Sequence, residues 1–346
     1  MMRADAVHVH AASPGLWTLA WRRLRADHVA MVALAVVGLF LLSVLLSSTG
    51  LVAADWEEEV AVNYAPPTFI GPDPALAALR QPVVAPPPNA FDPLAGDIAA
   101  LKAALVANAA RQGKTAQAAK AATLPFGADK WGHDIVKKTI KGGQTSIVVG
   151  LVAALVAVAL GTLFGALSGF YGGVVDDLFN WFYNVFTAIP SILMILTVAA
   201  VLQTRGVLTI VLILGLTGWT GPYRLMRAEY IKHKAREYVM AADAIGASSW
   251  RRMFVHIFPN VSHVALVQVS ILVVGFIKAE VILSFLGFGV PVGVVSWGSM
   301  LNEAQSELIL GKWWQLAAAA GAMALLVTAF SLLADALRDA LDPKLK

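Results

Sequence analysis

The chain has 346 residues, of which 58% are hydrophobic and 14% are charged, and its mean hydropathy is +0.70. A soluble domain usually carries about 25% charged residues, so this composition excludes an ordinary soluble protein and indicates several membrane spans. The net charge of +4 gives no reason to expect nucleic acid as a partner. Because the chain has no cysteine, disulfides and zinc-thiolate sites are also excluded.

Residues 1–54 are predicted to form an N-terminal cytoplasmic segment and the first transmembrane helix. The apolar run from Val29 to Ala54 is long enough to cross a bilayer, and Arg22, Arg23 and Arg25 precede it. No small-residue cleavage site follows this run. We therefore expect it to remain as a helix and not to be removed as a signal peptide.

Residues 55–141 are predicted to form a long extracytoplasmic segment rich in proline and alanine. Nine of the 16 prolines lie between Pro66 and Pro93, which predicts an extended, irregular chain. The stretch from Ala99 to Ala122 is rich in alanine, with scattered Lys and Arg, and is compatible with a solvated helix that has little apolar face to bury. We expect this stretch to be mobile.

Residues 142–346 are predicted to form a five-helix core. Its apolar runs are about as long as a bilayer requires, which is about 20 residues. A further uncharged run, Val281 to Asn302, is rich in glycine and is expected to be a surface or partly re-entrant loop, because its backbone groups would be unpaired in lipid. The five predicted spans are Gly142 to Val175, Leu178 to Thr204, Gly206 to Tyr223, Ile257 to Ile277 and Trp313 to Ala334.

Six spans in total place both termini on one side of the membrane. Seven basic residues between Arg224 and Arg252 identify that side as the cytoplasm, and Arg338 near the C-terminus agrees. Four lysines between Lys130 and Lys141 oppose this orientation, although long translocated segments follow the charge rule poorly.

The loop between the fourth and fifth spans, residues 224–260, contains the most informative pattern. Tyr238, Ala241, Ala242 and Ile245 recur at i, i+3, i+4 and i+7, which predicts a short helix with a narrow apolar stripe that fits a partner's groove. Gly246 is predicted to end this helix in a left-handed conformation.

A second short helix is predicted to follow Gly246. Ser248 or Ser249 is suited to cap its N-terminus, and Pro259 is predicted to break it where the next apolar run begins. The loop therefore favours a docking function over that of a simple connector.

Polar and small residues within the spans allow several interpretations. Gly161, Gly165 and Gly169 predict close approach by a second helix, and Pro190 predicts a kink. One helix face carries four polar residues, Asn180, Asn184, Thr187 and Ser191. Hydrogen bonds between helices explain their presence as well as contact with a substrate does. Lys278 and Glu280 are interpreted as interfacial anchors.

Several motifs resemble those of a known transporter family. The loop reads Met240-Ala241-Ala242, then Gly246, then His256-Ile257-Phe258-Pro259, which resembles the family's Glu-Ala-Ala motif with its later Gly and Pro. Met240 replaces the carboxylate of that motif. Further matching segments are Trp21 to Arg23, Phe126 to Asp129, Gly169 to Gly173, Leu283 to Gly287, Ser296 to Gly298 and Arg338 to Pro343.

With these motifs, nearly the whole chain resembles the C-type permease subunits of the dipeptide, oligopeptide and nickel importers driven by ATP (ABC importers). The resemblance implies an all-α integral membrane protein with six transmembrane helices and a cytoplasmic coupling-helix loop, the MetI-like transmembrane fold of type I ABC importers. It also implies a multi-pass protein of the bacterial inner membrane with both termini in the cytoplasm. Substrate-binding residues remain unassigned.

The resemblance further implies specific partners. These are a homologous second permease, two cytoplasmic ATPase subunits that bind ATP and Mg, an extracytoplasmic substrate-binding protein and the lipid bilayer. No cofactor, metal or catalytic residue is expected in this chain. The residues expected to couple to the ATPases are Glu237, Tyr238, Ala241, Ala242, Ile245, Gly246 and Pro259.

Two other classes of protein were weighed against this interpretation. A secondary transporter driven by an ion gradient generally places ionisable groups inside its spans, and this chain has almost none away from the edges. A membrane-embedded enzyme requires a convergent catalytic constellation, and none is evident in the spans. Gly113-Lys114-Thr115 resembles the end of a nucleotide-binding loop, but Asn108 occupies the place of its first glycine.

Overall fold

The computed structural model describes residues 16–72, 94–111, 120–202, 204, 206–291 and 293–341. Its regular secondary structure is helical, as predicted, and the β-contacts in these ranges are isolated bridges such as Ala61 with Ala121. The helices are α1 (Leu16–Ala26), α2 (His28–Ser48), α3 (Ala95–Arg111), α4 (Ile135–Tyr171), α5 (Gly173–Thr187), α6 (Ser191–Leu202), α7 (Val207–Thr217), α8 (Thr220–Lys234), α9 (Glu237–Ala244), α10 (Ser249–Phe285), α11 (Trp297–Ile309) and α12 (Trp314–Leu341).

Four of these helices, α2, α4, α10 and α12, are long and apolar enough to cross a membrane. Helices α5 and α6 pass the same test together as a broken span, bent by 85° across the short break that contains Pro190. The kink predicted at this proline is therefore present, because proline cannot continue a helix without losing a hydrogen bond. Helix α7 has 11 residues and is shorter than a bilayer requires. The count of six spans stays a prediction.

The long extracytoplasmic segment is described only in part. Helix α3 covers much of the alanine-rich stretch that was expected to be a solvated helix, whereas residues 73–93 and 112–119 lie outside the described residues. The proposed boundaries at residues 54 and 141, and the expected mobility, stay predictions.

Helix α4 has 37 residues and a length of about 55 Å at 1.5 Å per residue. It begins seven residues before the predicted start at Gly142, because Asp134 caps its N-terminus. The Asp134 carboxylate accepts hydrogen bonds from the amides of Val136 at 2.8 Å and Lys137 at 3.4 Å. Three of the four lysines that were expected to precede the span, Lys137, Lys138 and Lys141, therefore lie on its first two turns.

Three glycines of α4 form a close contact with α8, as their spacing predicted. A Cβ placed on Gly161 would lie 2.6 Å from the Trp219 carbonyl oxygen, and one on Gly169 would lie 2.6 Å from that of Arg227. Gly165 would meet Met226 Cβ at 2.8 Å. Any side chain here would push the helices apart. Each later glycine of α4 meets a later part of α8, so the two helices run in the same direction.

Helix α10 packs against α4 in the opposite direction. Ser146, near the start of α4, contacts Glu280 near the end of α10, and Ala166 near the end of α4 belongs to the same apolar cluster as Met253 and Ile257. The bundle thus has a coupling end, which carries Tyr171 and α9, and an opposite end, which carries Ile135 and α11.

Helix α5 is tied to α8 at the coupling end by an ion pair. The Arg227 guanidinium donates from Nε and Nη2 to the two carboxylate oxygens of Asp176, both at 2.6 Å. Ser168 of α4 also donates a hydrogen bond to Asp176. Such a bidentate pair is stronger and more directional than a single charge contact, so three helices are joined at this point.

At the opposite end, much of the expected loop Val281 to Asn302 is helical. Helix α10 continues to Phe285, and α11 starts at Trp297 because Ser296 and Ser299 form a capping box. The Trp297 ring packs directly on Gly143, since a Cβ on this glycine would lie 2.9 Å from the ring. The predicted loop is therefore confined to the residues between α10 and α11, because the capping serines and the buried tryptophan outweigh the glycine content at its far end.

The interfacial interpretation was wrong for Glu280. Its side chain is fully buried, and its two carboxylate oxygens accept hydrogen bonds from Ser146 and Ser284, each at 2.7 Å. Lys278 lies two residues away on α10 and is exposed. A buried carboxyl needs such hydrogen bonds to offset the loss of solvation, and the partner on α4 could not be recognised from the local sequence.

A second buried polar cluster joins α4, α11 and α12. The Lys138 ammonium donates to Asp129 at 2.7 Å and to Glu303 at 2.6 Å. Burial alone would raise the pKa of Asp129, but Lys138 and His133 hold that pKa below its usual value. Glu307 lies nearby with both carboxyl oxygens buried and without a hydrogen-bond partner in the described part of the chain. Burial raises the pKa of Glu307 to about 7, although Lys138 opposes the shift.

The glycine contact between α4 and α8 can be tested with one methyl group. We expect Gly165→Ala to destabilise the protein by about 1–3 kcal/mol, because the added Cβ would lie 2.8 Å from both Met226 Cβ and the Tyr223 carbonyl oxygen. Gly321→Ala in α12 is the matched control, since its Cβ would meet nothing within 4 Å. Thermal unfolding in detergent measures both variants. Equal midpoints for the two would contradict the contact.

The state of Glu307 can be tested by pH. Its pKa is raised in the folded chain, so its contribution to stability is complete below about pH 4.5 and is lost as the pH rises through about 7. We expect Glu307→Gln to raise the unfolding temperature at pH 8 and to leave it unchanged at pH 4.5. A shift of this size corresponds to roughly 3 kcal/mol.

The control for this test is Glu303→Gln, which breaks the contact with Lys138. It should lower the unfolding temperature at pH 8, opposite in sign to Glu307→Gln. A stabilisation by Glu307→Gln that is the same at both pH values would show that Glu307 is not protonated in the fold.

Candidate ATPase-coupling site

The predicted short helix is present as α9, Glu237–Ala244, between α8 and α10. Val239 and Ala242 are 2% and 5% exposed and anchor α9 to the protein. Val239 belongs to an apolar cluster with residues of α4, α8 and α10, among them Phe170 and Met253. One side of α9 is therefore fixed on the ends of three long helices.

The other side of α9 is open. The exposed fractions of Tyr238 and Ile245 are 39% and 85%, and Ala241 and Glu237 are also exposed. The predicted stripe of four residues is thus divided, because Ala242 points into this chain and the other three point away from it. Met240 is 53% exposed beside them. In the sequence, Met240 was recognised only as a departure from the family motif. Its position next to Ala241 could have shown that its apolar side chain belongs to this exposed surface.

Gly246 ends α9 as predicted. Its φ is +80°, a left-handed conformation that favours glycine. The Ala247 amide donates to the Ala242 carbonyl at 3.0 Å, and the Gly246 amide donates to that of Asp243 at 2.8 Å. These bonds satisfy carbonyl groups at the helix end. A Cβ on Gly246 would meet nothing within 4 Å, so the requirement for glycine comes from the backbone alone.

The second helix starts where the sequence indicated, but it does not stop at Pro259. The Ser248 hydroxyl accepts a hydrogen bond from the Arg251 amide at 3.3 Å and so caps α10. Residues Arg252–Ile257 then form a π-helical turn that passes directly into the long part of α10. Pro259 lies where this turn joins the α-helical part, and the chain stays helical through it. The predicted break was therefore wrong.

Polar contacts hold α9 against its neighbours. The Arg252 guanidinium lies 2.5 Å from the Asp243 carboxylate and stacks 5.3 Å from the centre of the Phe170 ring. The motif has a carboxylate where this chain has Met240. Asp243, one turn later on α9, supplies a carboxylate to the same helix. On the other flank, His233 Nδ1 and the Tyr238 hydroxyl are 2.7 Å apart.

The charge of His233 follows from its surroundings. Burial lowers its pKa, and the nearby Lys232 and Arg236 lower it further, although Glu229 opposes them. A neutral imidazole can accept the hydrogen of the Tyr238 hydroxyl. This bond links the last turn of α8 to the first turn of α9.

Two further kinds of site, for a metal ion and for a nucleotide, concern other residues of the chain. Among the described residues, no group of three or more His, Asp or Glu side chains is placed to hold a metal ion. The segment Gly113-Lys114-Thr115 lies outside the described residues.

An all-helical chain with several apolar spans and a small exposed helix between two of them defines the class of polytopic membrane transport proteins. Residues 161–346 match the family of binding-protein-dependent transport system inner membrane components. Residues 15–67 match the N-terminal transmembrane domain of oligopeptide transport permease C. The chain belongs to this family of inner membrane transport components.

Curated relatives agree with the family. The oligopeptide transport system permease protein OppC of Bacillus subtilis (strain 168) is 37% identical over 221 residues, which cover 64% of this chain and 72% of the relative. The dipeptide transport system permease protein DppC of the same strain is 36% identical over 221 residues, or 64% and 69% of the two chains. The protein OppC of Escherichia coli (strain K12) is 36% identical over 219 residues, or 63% and 72%.

Proposed function

We propose that this chain is the C-type permease subunit of an ATP-driven peptide importer and forms part of the translocation path. The relatives named above are oligopeptide and dipeptide permeases. The observation that carries the proposal is the two-sided character of α9. Val239 and Ala242 bind this helix to its own chain, while Ala241, Ile245 and the exposed part of Tyr238 are open to a groove of another protein.

The coupling residues act as a rigid contact in this proposal. Two cytoplasmic ATPase subunits, which bind ATP and Mg, close on ATP and push α9. Because α9 is fixed by the Val239 cluster and by the Asp243–Arg252 pair, the push moves α8 and α10 together. Helix α4 follows through its glycine contact with α8. Access then alternates between the two sides of the membrane by rigid-body motion.

The remaining partners follow from the same assignment. A homologous second permease completes the path, and an extracytoplasmic binding protein delivers the peptide. In this proposal both termini lie in the cytoplasm. The bond from Arg23 of α1 to the Ala340 carbonyl of α12, 3.3 Å long and at the coupling end, supports this orientation. The sixth span consists of α7 together with the start of α8, which follows it after Gly218 and Trp219.

One observation favours a gradient-driven secondary transporter as the alternative. Glu280 is a buried carboxyl on a membrane helix, and such groups often relay protons. However, both of its oxygens accept bonds from serine hydroxyls that also organise the start of α11, which suits a structural role. Nickel, glutathione and peptide antibiotics are alternative cargoes within the same family.

Reconstitution tests the energy source. We expect liposomes that contain this chain, its partner permease and the ATPase subunits to take up peptide only under one condition. ATP must be supplied on the side of the ATPase subunits and the binding protein on the opposite side. Liposomes with this chain alone are the control. Uphill uptake by the single chain, driven by a proton or sodium gradient, would establish the secondary transporter instead.

Position 246 tests the coupling helix. We expect Gly246→Val to reduce ATP-driven uptake at least tenfold, because a residue with a branched Cβ costs about 1–2 kcal/mol or more in the left-handed conformation and misplaces α9. Gly246→Asn is the matched control, since asparagine tolerates this conformation. Retention of the ATPase subunits on purification should fall with uptake. Equal uptake by the two variants would contradict the assigned role of the turn.

A further inference from the structure

Lys278 is a charged residue on a membrane helix. Between Phe258 and Phe285 the only charged residues are Lys278 and Glu280, and they are about 200° apart around α10. Glu280 is buried against α4, so it cannot neutralise Lys278, which is exposed on the other side. Within the described residues the Lys278 ammonium has no ion-pair or hydrogen-bond partner.

The depth of Lys278 follows from contacts of α4. Ser47, at the outer end of α2, bonds to Gln144 at 2.8 Å. Six residues further along α4, Gly150 faces Ile277, the neighbour of Lys278. Six residues correspond to about 9 Å along the helix axis. Lys278 therefore lies inside the span that α2 marks out, where a charge is costly and normally faces a partner or a water-filled cavity.

A cavity is present at this position. It has a volume of about 150 Å³, lies between α6 and α10, and is lined by Lys278, Ser191, Ile195, Gly275 and Ile282 among others. Liquid water occupies about 30 Å³ per molecule, so the cavity accepts a small charged group but not a whole peptide. Ser191 of α6 and Lys278 of α10 both line this cavity, and each carries a hydrogen-bond donor.

The same face of α10 continues to the coupling end. Gln268 and Val264, about three and four turns from Lys278, line a second cavity of about 630 Å³. The positions 264, 268, 271, 275, 278 and 282 are three or four residues apart and so share one helix face. Lys278 thus lies on the same face of α10 as residues that line this second cavity.

We propose that Lys278, assisted by Ser191, binds a carboxylate of the transported peptide during its passage. This inference rests on the proposed function. A carboxylate accepts hydrogen bonds at two oxygens, and an ammonium and a hydroxyl together supply the donors it needs. Every unmodified peptide carries a C-terminal carboxylate, so one lysine can assist cargoes of different sequence.

A double comparison tests this proposal. ATP-driven uptake of one peptide is measured with a free C-terminus and with a C-terminal amide, for the wild-type complex and for Lys278→Met. For each peptide the wild-type rate is divided by the variant rate, so that any preference of the binding protein cancels. We expect a ratio of about 10 for the free peptide and about 1 for the amide. Lys278→Arg should restore the free-peptide rate because it keeps the charge.

Other occupants of the cavity give different results. If Lys278 holds a carboxylate of the second permease or a lipid phosphate, Lys278→Met lowers uptake of both peptides equally, and the proposal is overturned. A ratio of wild-type to variant rate of about 1 for both peptides overturns the proposal as well. Lys130→Met, which removes a lysine from the outer loop, is the control for a general loss of positive charge. If no peptide is taken up by the wild-type complex, the proposed function fails instead.

Discussion

The contact between α4 and α8 at three glycines is the constraint on which the rest of the structure depends. Where Gly161, Gly165 and Gly169 bring the two backbones together, no side chain can intervene. Helices that cannot gain from the hydrophobic effect in lipid rely on such close packing. The contact fixes α8 along the last three turns of α4, and the ion pair of Arg227 with Asp176 adds α5 to the same point. Helix α9 starts three residues after α8 ends, so this contact also sets the position of α9.

The polar residues of the helices divide into two groups with different roles. Glu280 and Lys138 are buried and have hydrogen-bond partners on other helices, so they hold elements together. In contrast, two of the polar side chains on the α5 side of the bend bond to carbonyl groups of their own helix. Asn180 donates to the Asp176 carbonyl and Thr187 to that of Tyr183. Their predicted role in bonds between helices therefore has no support, and Lys278 and Ser191 remain as polar groups directed at a cavity.

The sequence predicted those features that depend on neighbours along the chain. A left-handed turn at Gly246, a cap at Ser248 and a small-residue face on α4 are each set by residues within one or two turns. The family could be recognised for the same reason, since its motifs are contiguous. Features that depend on distant residues were missed. The burial of Glu280 requires Ser146, which lies 134 positions away.

The candidate site shows the same division. Tyr238, Ala241 and Ile245 were correctly placed on one exposed side of a short helix, because helical periodicity alone determines which residues share a face. The burial of Ala242 could not be foreseen, since it depends on how α9 lies on α8 and α10. The passage through Pro259 depends on a π-helical turn, which leaves no local signal in the sequence.

That π-helical turn has a consequence for the whole of α10. Relative to an α-helix it accommodates a surplus residue between Arg252 and Ile257, and so rotates everything beyond it about the helix axis. Arg252 meets Asp243 of α9 at the start of the turn; downstream, the rotation decides that Glu280 points at Ser146 and Lys278 at the cavity. If the same sequence ran on as an unbroken α-helix, both side chains would be turned by about 100° about the helix axis, away from Ser146 and from the cavity. The geometry of one turn at the coupling end thus sets which charge faces which surface some 30 Å away.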